Sequence, residues 1–166
     1  MIIAVVSRRS NAGKTLFLEK VSRLLSETGC RVPVVKHVHH GRVSINEGKD
    51  AERIYLSGAP LSAAYGGRDT IILVRDLPLE RLIELVKQLT GSPVVLAEGF
   101  KGQAIADFYI YIASGPDDDC GAVNEERLLL STSLERGAAR CGRYMPFEEA
   151  ARWLASYIAG IACRSS

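Results

Sequence analysis

An apolar run, Ile2–Val6, is followed by Ser-Asn-Ala-Gly-Lys-Thr at residues 10–15 and then directly by the helical pattern Leu16-Phe17-Leu18-Glu19-Lys20-Val21. Strand, glycine-bearing loop and helix in that order form the phosphate-binding unit of P-loop nucleotide-binding folds. Backbone N–H groups turn inward around phosphate oxygens, the Lys reaches the outer phosphates, and the Thr hydroxyl completes the shell of a Mg²⁺ ion. The segment therefore predicts a nucleoside triphosphate site built from Ser10, Asn11, Ala12, Gly13, Lys14 and Thr15. The full pattern G-x-x-x-x-G-K-[ST] would place Gly at position 8, where this chain has Arg8. That first Gly eases the turn out of the strand, whereas the phosphate contacts come mainly from the amides around Gly13-Lys14-Thr15. Read more blandly, the same residues open a helix, and even a bare helix N-terminus attracts anions.

Short, continuous apolar runs alternate with helical patterns along the chain, as expected for parallel strands buried on both faces by crossover helices. Strands are expected at Ile2–Val6, residues 32–38, Thr70–Val74, residues 94–97 and residues 108–112, with weaker ones at Leu61–Tyr65 and residues 128–130. Helices are expected near residues 13–28, 79–90 and 147–163, the first two stopping at Gly29 and Gly91. The predicted fold class is α/β: a P-loop NTPase-like, doubly wound, mostly parallel sheet with helices on both faces. Its 166 residues contain no repeat or dividing linker, so a single domain, 1–166, is expected.

The balance of 21 basic and 19 acidic side chains, with a net charge of +2, gives no strong pull toward nucleic acid or membrane, and neither is expected as a partner. No run approaches the roughly 20 apolar residues of a membrane span. The first apolar run precedes Arg8-Arg9 rather than following them, the wrong order for a signal peptide. Cys30, Cys120, Cys141 and Cys163 form no C-x-x-C pair and are read as reduced thiols of a cytoplasmic protein. The acids of Gly115-Pro116-Asp117-Asp118-Asp119 are read as solvated residues of a surface loop.

In open α/β sheets the ligand lies beyond the carboxyl ends of the strands, which directs attention to the polar residues found there. Lys36-His37-Val38-His39-His40 holds all 3 histidines. Strand alternation puts His37 and His39 on one side; recognition of a phosphate or second ligand, a structural role and a shared metal ion are the open alternatives. Glu98 ends an apolar run as a Walker B acid does, so it either holds the Mg²⁺ shell or caps the next helix. Asp50 is the other candidate acid, with the first turn of a helix as its rival role. The guanine-selective pattern N-K-x-D is absent, so the residues themselves do not choose between GTP and ATP.

Taken together, Ser10 to Thr15, Val35-Lys36-His37-Val38-His39-His40-Gly41, Gly48-Lys49-Asp50 with Gly58-Ala59, and Ala97-Glu98-Gly99-Phe100-Lys101 resemble the molybdopterin-guanine dinucleotide biosynthesis protein B family across about the first 110 residues. The resemblance implies a P-loop fold, a homodimer, and GTP binding with slow Mg²⁺-dependent hydrolysis. It further implies an adaptor role beside the guanylyltransferase that joins GMP to the pterin of the molybdenum cofactor. By position, Lys14, Asp50 and Glu98 would carry the hydrolytic chemistry. Thr15, Asp50 and Glu98 would stand near the metal, and His37 with His39 or His40 would face the nucleotide or the molybdopterin phosphate. Competing expectations are a metal-delivery GTPase using His37, His39 and His40, and a small-molecule kinase; Arg42 and Arg53 are too scattered to form a kinase lid.

Overall fold

A computed structural model describes residues 1–38, 49–101, 103–115, 118–121, 123–134 and 141–163. His39, His40 and the Asn46-Glu47-Gly48 stretch lie outside the described residues, as does Asp117. The chain divides into two compact units, residues 1–37 with 85–166 and residues 38–84.

In the first unit the apolar runs become a five-stranded parallel sheet in the order β2-β5-β1-β6-β7. The strands are β1 Ile2–Val6, β2 Val34–Lys36, β5 Val95–Glu98, β6 Phe108–Ala113 and β7 Leu128–Ser133. The expected α/β, mostly parallel sheet is thus observed. β1 is central, with β5 on one side (Val5 opposite Glu98) and β6 on the other (Val6 opposite Tyr111). From β1 the chain crosses to β2 on one side, and from β5 it later crosses past β1 to β6 on the other, so the carboxyl end of β1 lies at the topological switch point where such sheets bind ligands.

One face of this sheet is sealed by α1, Lys14–Glu27, and α4, Phe147–Ala162. Ile3, Val5, Leu96, Ile110 and Leu130 meet Phe17, Val21, Leu25, Leu154 and Ile158 there in a single apolar cluster. The Phe17 and Phe147 rings cross edge to face at 5.3 Å, and Lys20 pairs with Glu148 at the rim. The other face carries Ala4, Val6, Val95, Ala97 and Tyr111, all essentially inaccessible to solvent. Burial on both faces explains why these strands read as continuous apolar runs.

The cysteines correct the sequence reading. Cys30 after α1 is joined to Cys163 after α4, and Cys120 after β6 is joined to Cys141 after β7, with Cα separations of 5.8 and 5.9 Å. The partners lie 133 and 21 residues apart in the chain. Only the packing of α1 on α4, and of one strand end beside the next, brings them within disulfide reach.

In the second unit α2, Lys49–Leu56, accompanies β3, Leu61–Tyr65, and β4, Thr70–Val74. Here the expectation of buried parallel strands is corrected. β3 and β4 form an antiparallel hairpin, closed at Gly66 and Gly67, with Leu61, Tyr65, Ile72 and Val74 exposed. The connection between them is too short for the crossover that a parallel pair requires. The helix α3, Leu79–Thr90, follows. Among the described residues no helix is long and apolar enough to cross a membrane.

Candidate functional site

The loop between β1 and α1 takes its shape from backbone torsions that few residues adopt. Asn11 has φ 58° and Gly13 has φ 94°, both left-handed, and α1 starts at Lys14 with Gly13 as its N-cap. The φ of Gly13 is one that residues with a Cβ rarely adopt, so glycine is required there for its torsion, while an added Cβ would press only on the half-exposed Leu134 side chain. The α1 N-terminus carries no side-chain cap and no acid in its first turn. Its free N–H groups and its dipole are therefore turned toward the loop, as an anion requires. Ser10, Asn11 and Ala12, with Arg9, form one wall of a cleft of about 230 Å³, closed on the far side by Ala113, Ser114 and Leu134.

Side chains from three elements meet at the start of α1. The Thr15 hydroxyl lies 2.9 Å from each carboxylate oxygen of Glu98, so its proton is shared between them. The Lys36 ammonium stands 3.1 Å from Glu98 Oε1 and 3.2 Å from the Thr15 oxygen. Glu98 is only 7% exposed, and its charge is tolerated because both oxygens are engaged. The register accounts for the meeting: Lys36 is paired with Glu98, and Glu98 with Val5, so both side chains emerge on the α1 face of the sheet. Sequence reasoning singled out Glu98 and Thr15, whereas Lys36 was named only with the histidine segment and not as the partner of Glu98.

Lys14 folds back over its own loop. Its ammonium donates to the Ser7 hydroxyl at 2.8 Å and to the Arg9 carbonyl at 3.3 Å, while Ser7 Oγ donates to the same carbonyl at 2.6 Å. Burial holds its pKa below the ordinary lysine value, partly offset by Glu98 and reinforced by Lys36. Incoming phosphate oxygens would meet a cation already drawn partly out of water.

Thr15 and Glu98 present a hydroxyl and a carboxylate, both hard oxygen donors. That donor set fits Mg²⁺, which usually takes one or two protein oxygens and fills the rest of its shell with water and phosphate. No group of three or more His, Cys, Asp or Glu side chains among the described residues is arranged to hold a metal. His37 is instead packed against Phe100, ring centroids 5.1 Å apart, and its Cβ stands 3.4 Å from where a Gly99 Cβ would lie. Gly99 and Phe100 both have positive φ, 86° and 60°, so the Glu98-Gly99-Phe100 segment turns sharply and buries its ring. Asp50 belongs to the second unit. It is exposed in the first turn of α2 and paired with Arg53 at 3.4 Å, in keeping with the helix-start alternative.

One residue read as solvated is not. Asp118 is 7% exposed; its carboxylate accepts from the Tyr111 hydroxyl at 2.7 Å, the Ser114 amide at 3.0 Å and the Cys120 amide at 3.4 Å. Burial pushes its pKa up, but these three hydrogen bonds and the nearby Arg8 outweigh burial and hold it below the usual carboxylate range. Its neighbour Asp119 is exposed, as expected, and lies 3.7 Å from the Arg8 guanidinium.

Fold and site together define an α/β protein of P-loop-like fold, with a glycine-bearing loop at the switch point and a hydroxyl–carboxylate pair beside it. A family model described as molybdopterin guanine dinucleotide synthesis protein B matches residues 2–129. The chain belongs to that family. It is 38% identical over 94 residues to a probable molybdopterin-guanine dinucleotide biosynthesis adapter protein of Bacillus subtilis, a match covering 55% of this chain and 54% of that protein. It is 32% identical over 104 residues to the adapter protein of Haemophilus influenzae, covering 61% of this chain and 58% of that one. The matches thus span little more than half the length of these relatives. The crystal structure of Bacillus subtilis MobB superposes with a TM-score of 0.72 at 26% identity, covering 96% of this chain and 98% of that one.

Proposed function

We propose that the chain is a GTP-binding adapter in the synthesis of the molybdopterin guanine dinucleotide form of the molybdenum cofactor. In this reading it works in the cytoplasm, as a homodimer, beside the guanylyltransferase that joins GMP to molybdopterin. The observation that carries the nucleotide part is the Thr15–Glu98 pair at the start of α1, directly after the left-handed Gly13 and beside the loop on which the Lys14 ammonium rests. The adapter part rests on family membership and on the printed names of the relatives.

Lys14 and the α1 N-terminus bind the phosphates, Ser10, Asn11, Ala12 and Gly13 wrap them with backbone amides, and the nucleoside extends into the adjoining cleft. Thr15 and Glu98 hold Mg²⁺, which when bound neutralises phosphate charge. Hydrolysis is slow because Glu98, given over to the metal shell and to Lys36, is not free to take a proton from water. The histidine segment, with His37 buttressed by Phe100, is assigned to the pterin phosphate.

The test is reconstituted cofactor synthesis with a guanylyltransferase, molybdopterin and Mg-GTP. Wild-type protein should raise guanine dinucleotide formation while turning over GTP slowly by itself. A His37→Ala, His39→Ala double variant should keep nucleotide binding and lose much of the stimulation. No stimulation by the wild type would remove the adapter role.

A further inference from the structure

Lys36 ends β2 and its ammonium reaches two oxygens at once, Glu98 Oε1 at 3.1 Å and Thr15 Oγ1 at 3.2 Å. These belong to the two residues whose hard oxygen donors fit Mg²⁺. A hydroxyl has one proton and two lone pairs. The Thr15 proton is shared between the Glu98 oxygens, each 2.9 Å away, so the ammonium is met by a Thr15 lone pair, the part of the hydroxyl that a metal ion would need. In both charge and contacts, the ammonium does what a bound cation would do there.

The two charged partners are held very differently. The Glu98 side chain is 9% exposed and the Lys36 side chain 55%. Glu98 ends β5, between β1 and β2, whereas Lys36 sits on a three-residue strand at the sheet edge and carries its charge on a flexible four-carbon stem. The ammonium can therefore swing into water without opening a cavity, and the carboxylate cannot. Lys14 directly precedes Thr15, so two cations stand against one carboxylate around the start of α1 among the described residues. A divalent ion entering alone would add to that positive excess and would have to take the Thr15 oxygen from the ammonium. A triphosphate brings enough negative charge to reverse the balance.

We propose that Lys36 is a built-in stand-in for the metal: it closes the Thr15–Glu98 pair to divalent cations in the ligand-free protein, and gives up the Thr15 oxygen only to Mg²⁺ that a triphosphate brings. Lys36 is thus a positioning residue that makes metal entry depend on nucleotide. The inference rests on the reading that Thr15 and Glu98 hold Mg²⁺.

The experiment titrates Mn²⁺, a paramagnetic ion that shares the oxygen ligands of Mg²⁺, into the nucleotide-free protein and follows bound ion by electron paramagnetic resonance. The proteins are wild type, Lys36→Met, Lys36→Arg, and Lys36→Met combined with Glu98→Gln. Lys36→Met should bind Mn²⁺ on the order of tenfold more tightly than wild type or better, and Lys36→Arg, which keeps a cation, should gain nothing. The combined variant should lose the gained site, which places the ion at Glu98 rather than elsewhere on the surface. Mn²⁺ alone should also raise the unfolding midpoint of Lys36→Met and leave that of wild type unmoved, a response that the loss of a merely structural ion pair does not give. If Lys36→Met does not fold, Lys36→Gln carries the same comparison. Wild-type Mn²⁺ affinity in the uncharged variant, or a gain that survives Glu98→Gln, overturns the inference. GTP titrations of the wild type with and without Mg²⁺ test the underlying reading separately: a gain on adding Mg²⁺ supports the metal reading whichever way the Lys36 variants fall, and no gain overturns reading and inference together.

Discussion

At the scale of single residues, the site is a small number of polar groups whose charges are settled by their neighbours. Glu98 is the plainest case, with both oxygens on Thr15 and one also on Lys36. Glu98→Gln keeps the shape and removes the charge, so on the proposed reading the gain in triphosphate affinity on adding Mg²⁺ should fall by tenfold or more. Titrations with and without Mg²⁺ measure it, and an unchanged gain would return Glu98 to a structural role. Asp118 makes a second prediction. Its folded pKa lies below its ordinary value of 3.8, so its stabilisation is fully present above that pH and is lost as the pH falls through the folded value. Acid unfolding of the wild type should therefore steepen below about pH 4 and be shallower in Asp118→Asn, as followed by circular dichroism. Lys14, Thr15 and Glu98 were legible in the sequence because short motifs carry them and each motif's chemistry is local. Asp118 was not: a run of aspartates beside Gly and Pro looks solvated, and only the fold reveals Tyr111 beneath it. Lys36 was half legible, since its exposure to Glu98 depends on the register between β2 and β5.

At the scale of elements, the strand–loop–helix unit was readable because its parts are adjacent in the chain and its glycines mark the bends. The order of the sheet was not, since β5 slips between β1 and β2, and β6 joins β1 after a long excursion. The β3–β4 pair misled for a related reason. Short apolar runs look alike whether buried in a parallel sheet or exposed on a hairpin, and Gly66-Gly67 is the turn signal that distinguishes them. The α1–α4 contact makes its own prediction. Phe17 is fully buried and meets Phe147 edge to face, so Phe17→Ala should cost about 3–5 kcal/mol in denaturant unfolding. Gly13→Ala should be worse for binding than for folding, because it strains φ 94° and displaces Leu134 at the phosphate loop itself. Stability curves beside nucleotide titrations separate the two effects.

At the scale of the molecule, the two disulfides change what the chain's stability depends on. Cys30 to Cys163 closes a loop of 133 residues and Cys120 to Cys141 one of 21. On the chain-entropy account, the longer bridge contributes about 5 kcal/mol and the shorter about 3 kcal/mol. Thiol titration of the unfolded protein should find no free thiol before reduction. Cys30→Ser with Cys163→Ser should lower the unfolding midpoint more than Cys120→Ser with Cys141→Ser. The central claim is that Lys14 and the loop around it bind a triphosphate, and the most direct measurement is the unfolding midpoint with Mg-GTP and Mg-ATP at millimolar concentration. A ligand at about 100 times its dissociation constant adds about 2.7 kcal/mol, a rise of several degrees for a domain of this size. Wild type should show that rise, greatest with Mg-GTP, and Lys14→Ala should be folded and lose most of it; no rise in the wild type with either triphosphate would contradict the account.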